Sequence, residues 1–164
     1  GCRRVTERFL HGEPPAPEEL KAASAWAEEQ FAAHWAQLPV AVELPERLVA
    51  VGGTVTTLVA MVHELKQYDP AFVHLHALSL DEVEHAVERL SKLTPQQIAE
   101  LDGVQPKRAP VILAGAVVIR ALMHTGGYTE LTVSENSLLA GMAATISEVL
   151  DGADPTIGWT PELS

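Results

Sequence analysis

Helical periodicity dominates the pattern of apolar and polar positions along this chain. Between Pro17 and Leu38, apolar residues recur at three- and four-residue steps, which predicts a helix with one buried stripe. Its members are Leu20, Ala23, Ala27, Phe31, His34 and Leu38. From Pro110 to Met123 nearly every residue is apolar, which predicts a central helix covered on both sides. A further helix is predicted from about Ser137 to Leu150, with Leu138, Met142, Ile146 and Val149 on its buried face.

Two capping boxes mark helix starts in the middle of the chain. Ser79 with Glu82 predicts a helix that begins at Leu80 or Asp81. Thr94, Pro95 and Gln97 repeat the signal and predict a second, short helix that ends at Asp102 and Gly103.

Two short apolar runs, Leu48–Val51 and Leu131–Val133, are predicted to be strands, and the first suits burial on both faces. Long helical connections between strands favour parallel pairing, so we expect a helix-rich α/β fold with few parallel strands. Two strands are too few for an independent sheet. We therefore expect one domain over residues 1–150 whose first strands lie upstream of Gly1, followed by an irregular tail over residues 151–164.

The charge balance limits the classes of partner. Asp plus Glu number 22 against 11 Lys plus Arg, a net charge of −11, which argues against a protein that coats nucleic acid. Two basic segments interrupt this acidity, one at residues 1–11 and one at residues 103–129. The single cysteine, Cys2, permits no internal disulfide, and no uncharged segment is long enough to span a membrane without interruption. We expect a cytoplasmic protein.

The segment with a physical mechanism for binding is Leu48–Leu58, LVAVGGTVTTL. As a strand, a glycine turn and a helix, it would bring the backbone N–H groups of Gly53 and Thr54 to a helix N-terminus, where a phosphate oxygen is favoured. The alternative is a hairpin, because a two-glycine turn between β-branched runs is typical of one. The sequence leaves both interpretations open at this point.

No complete set of catalytic or metal-ligating residues is evident. His74 and His76 would share one face of a strand with Asp69 nearby, but no third ligand has a metal-site spacing. Cys2 has no histidine or base arranged to make it a nucleophile. On chemistry alone, the sequence lacks a complete active site.

Several short segments follow one another in a distinctive order and spacing. They are GCRRVTERFL at 1–10, PP at 14–15, VAVGGTVTTL at 49–58, YDP at 68–70, RAPVILAGA at 108–116 and ELTVS at 130–134. This succession resembles the exopolyphosphatase and guanosine pentaphosphate phosphohydrolase (Ppx/GppA) family from Gly1 to about Ala143, and looks most like its short actinobacterial members.

The resemblance implies a fold and a reaction. The family has two ribonuclease-H-like domains of the actin-like ATPase type, and this chain is similar to most of the second. The implied reaction removes terminal phosphate from inorganic polyphosphate or guanosine pentaphosphate, usually with a divalent metal such as Mg²⁺. In that setting Gly52, Gly53 and Thr54 look like a phosphate-binding loop, and Gly115 is similar to a glycine that approaches a nucleotide base in actin-type relatives.

The chain also departs from the family pattern. The family's catalytic glutamate lies in the first domain and its glycine-rich Asp-x-Gly-Gly-Gly-Ser loop lies upstream, so neither is present here. The usual Ser-Asp-x-Gly-Leu-Arg-Glu-Gly is Ser134–Gly141, SENSLLAG, with Leu139 in place of the arginine.

The leading hypothesis is the phosphate-binding half of a phosphohydrolase that is inactive alone and needs its missing N-terminal domain. Arg3, Arg4, Lys107 and Arg108 are candidates to guide the polyanion. The alternative is a non-catalytic α/β interaction or dimerisation module, for which a second copy of the chain, forming a homodimer, is one candidate partner.

Overall fold

Helices account for most of the structure, a computed structural model that describes residues 1–39 and 45–154. The elements in chain order are α1 Cys2–Phe9, α2 Pro17–Trp35, β1 Val49–Val51, α3 Gly53–Val62, α4 Pro70–Val73, β2 His76–Ser79, α5 Leu80–Leu90, α6 Pro95–Ala99, α7 Ala109–Gly126, β3 Glu130–Ser134 and α8 Leu138–Leu150. A 3₁₀ turn, Pro106–Arg108, leads directly into α7. Most of the predicted tail, residues 155–164, lies outside the described residues.

The sheet is mixed and has the strand order β1-β3-β2. The two predicted strands are confirmed, and β1 pairs with β3 in parallel, with Val49 opposite Thr132. The third strand, β2, was not predicted, and it pairs antiparallel to β3 with Leu78 opposite Leu131. We expected only parallel strands, which is wrong for β2. A strand of four residues is too short to show an alternating pattern in the sequence.

The predicted central helix is confirmed as α7. Helices α1, α2, α3, α5 and α6 all pack against it. Its residues from Ile112 to Val117 are buried. One helix in the described residues, Pro106–Gly126, is long and apolar enough to cross a membrane, with a mean hydropathy of 1.5. Its place among five other helices accounts for that composition.

Both capping boxes are confirmed at the starts of α5 and α6. The Glu82 amide donates to Ser79 Oγ at 3.2 Å, and the Ser79 amide donates to Glu82 Oε2 at 2.8 Å. Thr94 and Gln97 make the same reciprocal pair, at 3.3 and 2.9 Å. Helix α6 ends at Ala99, earlier than predicted, and the chain then turns towards Gly103.

Helix α2 also ends earlier than predicted, at Trp35. Leu38 lies in a turn, where its amide donates to the Trp35 carbonyl at 3.1 Å, and Pro39 disfavours helical geometry at the residue before it. Ala23 and Ala27 are buried as expected, whereas His34 is exposed and does not belong to the buried stripe.

The burial predicted for β1 and α8 was wrong. Val49 and Val51 are 59% and 56% exposed, because they lie with Thr132 on the sheet face opposite the core, and β1 is an edge strand. Leu138 is 76% exposed, and Met142 is also exposed. The buried residue of α8 is Thr145, so apolar side chains remain uncovered along much of this helix.

We predict that Gly103→Ala lowers the free energy of unfolding by about 3 kcal/mol, because Gly103 has φ +82° and an added Cβ would overlap the carbonyl of Ala60 on α3. Gly127 has φ +70° but no atom within 4 Å of an added Cβ, so Gly127→Ala isolates the backbone cost, about 1 kcal/mol. Urea unfolding measures both. Equal losses would contradict the role given to the contact with α3.

A second prediction concerns acid stability. Burial raises the pKa of Glu82, but hydrogen bonds from Ser79 and the nearby His63 and His76 outweigh this and leave the pKa below its usual 4.5. The carboxylate therefore contributes stability above that value, and the contribution is lost as the pH falls through the lowered pKa.

Replacing Glu82 with Gln keeps a capping side chain and should remove a fraction of a kcal/mol of this acid-sensitive stability. Unfolding free energies at about pH 7 and about pH 3 measure the difference. Glu29→Gln, on the exposed face of α2, serves as the matched control, and an equal change in both variants would refute the prediction.

Candidate anion-binding site

The turn between β1 and α3 has the strand–glycine–helix form. Gly52 precedes the helix with φ +97°, a backbone region that side-chain-bearing residues rarely adopt, and α3 begins at Gly53. Because β1 pairs in parallel with β3 and is followed by a helix, the hairpin alternative is excluded.

The N-terminus of α3 carries uncompensated positive character. The N–H groups of Gly53, Thr54 and Val55 precede the first helical hydrogen bond, which runs from the Thr56 amide to the Gly52 carbonyl at 3.3 Å. No side chain caps this end, and no acidic residue lies in the first turn. The end of the helix is therefore suited to an anion.

A cavity of about 320 Å³ opens beside this helix end. Its walls come from the start of α3, the loop before α4, the segment before α7 and the loop after β3. The lining residues are Gly52, Gly53, Thr56, Thr57, Tyr68, Gly103, Gln105, Lys107, Arg108, Glu135 and Ser137. Two of them are cations and one is an acid, so the lining carries a net positive charge in a chain of net charge −11.

Arg108 contacts the glycine turn directly. Its guanidinium lies so close to Gly53 that a Cβ there would overlap Nη2 and Cζ. The 3₁₀ turn fixes the backbone at this point, with the Arg108 amide donating to the Gln105 carbonyl at 2.7 Å. Among the described residues, neither Lys107 nor Arg108 has an ion-pair partner. Both charges are therefore available to an anion in the cavity.

Of the three predicted loop residues, two line the cavity and one does not. Gly52 and Gly53 line the cavity, whereas the Thr54 side chain packs against Gly115 of α7. Gly115 thus serves the close approach of two helices. Thr56 and Thr57 line the cavity instead, and the Thr57 hydroxyl donates to the Gly53 carbonyl at 2.6 Å. Sequence reasoning missed these two threonines, although both follow the glycines within one helical turn.

Of the four predicted guidance residues, the structure brings two to the cavity. Lys107 and Arg108 line it. Arg3 and Arg4 lie on α1, and neither lines the cavity. The Arg3 guanidinium is paired with Glu7 at 2.9 Å on the exposed side of that helix.

Tyr68 and Glu135 form part of the cavity wall from distant parts of the chain. The Tyr68 hydroxyl donates to Glu135 Oε1. The Glu135 amide donates to His74 Nδ1 at 3.3 Å. Tyr68 lies in the YDP segment that carries the family resemblance and Glu135 lies in the Ser134–Gly141 motif that departs from it, and the sequence alone did not indicate that they meet.

The residues considered as metal ligands, His74, His76 and Asp69, have other partners. His74 accepts from Glu135, and Asp69 caps α4 by accepting from Ala71 at 2.9 Å. His76 Nε2 lies 2.8 Å from His63 Nε2. Over residues 1–39 and 45–154, no group of three His, Cys, Asp or Glu side chains is arranged to hold a metal ion. These residues therefore provide no ligand set for the implied Mg²⁺, and the site's chemistry follows from its own donors.

Comparisons with known proteins identify relatives of this chain. Residues 1–148 match the Ppx/GppA phosphatase family. Exopolyphosphatase 2 of Mycobacterium tuberculosis is 35% identical over 151 residues, which are 90% of this chain and 47% of that protein. The bifunctional 3-dehydroquinate synthase/phosphatase of Fusobacterium nucleatum is 28% identical over 144 residues, or 86% of this chain and 21% of that protein.

A solved structure of the Aquifex aeolicus Ppx/GppA family member superposes with a TM-score of 0.80 at 28% identity. The match covers 93% of this chain and 47% of that one. The predicted ribonuclease-H-like, actin-like fold class is confirmed by this likeness. This chain spans about half the length of the exopolyphosphatase that it matches, and it belongs to the Ppx/GppA phosphatase family.

Proposed function

We propose that this chain is the phosphate-binding half of a phosphohydrolase that removes terminal phosphate from inorganic polyphosphate or guanosine pentaphosphate. The observation that carries the proposal is the cavity itself, where Arg108 and Lys107 lie beside the uncapped N-terminus of α3. The name of the M. tuberculosis relative, an exopolyphosphatase, supports polyphosphate as the substrate class.

The cavity's donors suit both the substrate and the charge that develops during phosphoryl transfer. Oxygens of the transferred phosphate would accept from the amides at Gly53 and Thr54, while the Arg108 guanidinium offers paired, planar donors. Such donors stabilise a transition state most when they are held in place beforehand. The packing of Arg108 on Gly53 provides that fixed position.

The remaining parts of the reaction are proposed to lie outside this chain. The chain spans about half the length of the exopolyphosphatase relative, and we propose the activity for a longer protein that also contains a first domain. We propose that the first domain supplies the glutamate that activates water, that the first phosphate loop lies upstream of Gly1, and that Mg²⁺ is bound mainly outside this chain. We further propose that the chain alone is inactive and that the protein is cytoplasmic.

The exposed apolar side chains favour a second candidate function, a non-catalytic interaction module that forms a homodimer. Val49 and Val51 on the edge strand and Leu138, Leu139 and Leu150 on α8 are each more than half exposed. A protein surface of this kind is typical of a contact with another domain or subunit. This candidate makes no use of the cavity, so experiments on the cavity separate the two.

We expect Gly53→Ala to weaken tripolyphosphate binding about tenfold, because the new Cβ would displace the Arg108 guanidinium from the glycine turn. Fold stability should change by less than about 0.5 kcal/mol, since a flexible side chain can move aside. Isothermal titration calorimetry and urea unfolding measure the two quantities. Gly141→Ala, with open space around the added Cβ, is the matched control. Unchanged affinity in Gly53→Ala would count against the site.

In the longer protein with Mg²⁺, Arg108→Ala should reduce kcat/KM for polyphosphate by about 10²-fold, because a fixed donor to the transition state is lost. Phosphate release measures the rate. Arg89→Ala, whose guanidinium pairs with Glu64 on the surface, should leave the rate unchanged.

Full activity in Arg108→Ala would refute the role given to Arg108, and no phosphate release by the wild-type longer protein would refute the enzymatic proposal. A chain that dimerises with concentration in sedimentation analysis, yet binds no polyphosphate, would establish the interaction module instead.

A further inference from the structure

One feature of the cavity does not suit a site for a fully ionised anion. Glu135 is the one carboxylate among its lining residues, and it shares the cavity with Lys107 and Arg108. It forms no ion pair with either of them. A carboxylate in this position repels a polyanion, so its presence needs a chemical reason.

The Glu135 carboxylate is held in place and has one oxygen unused. Tyr68 donates to Oε1, and the backbone amide of Glu135 is fixed on His74. Among the described residues, no hydrogen bond reaches Oε2. An ionised carboxylate can only accept, so the oxygen left over is an acceptor beside a cavity whose other charged groups are donors.

A ligand that binds both Arg108 and Glu135 must place ionised oxygens next to the Arg108 guanidinium and a hydrogen-bond donor next to the Glu135 carboxylate. Phosphate chains present such a group only at their ends. An internal phosphate has a single ionisable oxygen and carries no hydroxyl near neutral pH. A terminal phosphate has a second ionisation, with a pKa of about 6 in monoesters, so a share of chain ends keeps a P–OH near neutral pH.

We propose that Glu135 is a specificity-determining residue that accepts a hydrogen bond from the P–OH of a terminal phosphate. Arg108, Lys107 and the amides of α3 bind the ionised oxygens of the same group. Internal phosphates bring only negative charge to Glu135 and are repelled. This inference rests on the proposed function, and it gives a physical reason for action at chain ends.

The test compares a phosphate chain that has two ends with a phosphate ring that has none. Tripolyphosphate is linear, whereas trimetaphosphate is cyclic and contains internal phosphates only. We expect the chain to prefer tripolyphosphate by about tenfold at about pH 6.5, the size of effect of one charge-assisted hydrogen bond. The preference should shrink at about pH 8.5, where the terminal hydroxyl is ionised. Preference based on charge alone would grow with pH, because tripolyphosphate then carries more charge.

Calorimetric titration of Glu135→Gln provides the decisive comparison. Its preference for tripolyphosphate should fall to about twofold or less at both pH values, while Glu135→Asp retains part of it. Tyr68, His74, Lys107 and Arg108, the other titratable groups around this position, remain in both variants, so pH effects through them persist. The matched control is Glu130→Gln, which removes the same charge from the exposed start of β3.

The outcomes separate this inference from the function on which it rests. If wild type binds both probes equally, or if its preference grows with pH, the role of Glu135 is refuted while phosphate binding stands. If Glu130→Gln loses the preference as Glu135→Gln does, the effect is one of net charge and the inference is also refuted. If neither probe binds and Arg108→Ala changes nothing, the proposed function itself fails.

Discussion

The close approach of α7 to α3 is the contact on which the cavity depends. Two glycines permit it: Gly115 leaves room for the Thr54 side chain, and Gly53 leaves room for the Arg108 guanidinium. With a Cβ at either position, the helices or the arginine would have to move apart. The positive end of α3 and the cation before α7 therefore lie together because both residues lack a side chain.

This geometry also determines how charge is distributed in an acidic protein. Elsewhere in the described residues several cations are neutralised in pairs, such as Arg120 with Glu84 at 3.4 Å and Lys92 with Glu88 at 2.7 Å. Lys107 and Arg108 follow Pro106 in a short turn, and neither forms an ion pair with a carboxylate of the described residues. A net charge of −11 limits nonspecific binding of polyanions, so attraction is confined to a local arrangement of donors.

The exposed apolar side chains of β1 and α8 lie outside the glycine turn itself. β1 leads into that turn, and its Val49 and Val51 face away from the core. Ser137 lines the cavity, and the exposed Leu138 follows it at the start of α8. The cavity and the exposed apolar residues are thus neighbours along the chain at two points.

The sequence by itself determined the elements whose signals are local. Capping boxes and the long apolar run of α7 act within a few residues, so the starts of α5 and α6 and the central helix were predicted correctly. The family resemblance, carried by short segments in order, also needed no structure. Burial of β1 and α8 was mispredicted, because an apolar pattern shows which face prefers cover and not whether anything covers it.

Only the tertiary structure decided what forms the cavity wall. Tyr68 and Glu135 meet across 67 positions of sequence, and Arg108 reaches Gly53 from another helix. The choice between hairpin and helix after Val51 also required the parallel pairing of β1 with β3. Contacts of this kind depend on how helices pack and which strands pair. No local pattern of side chains encodes them, and the cavity's chemistry therefore became visible only in the folded chain.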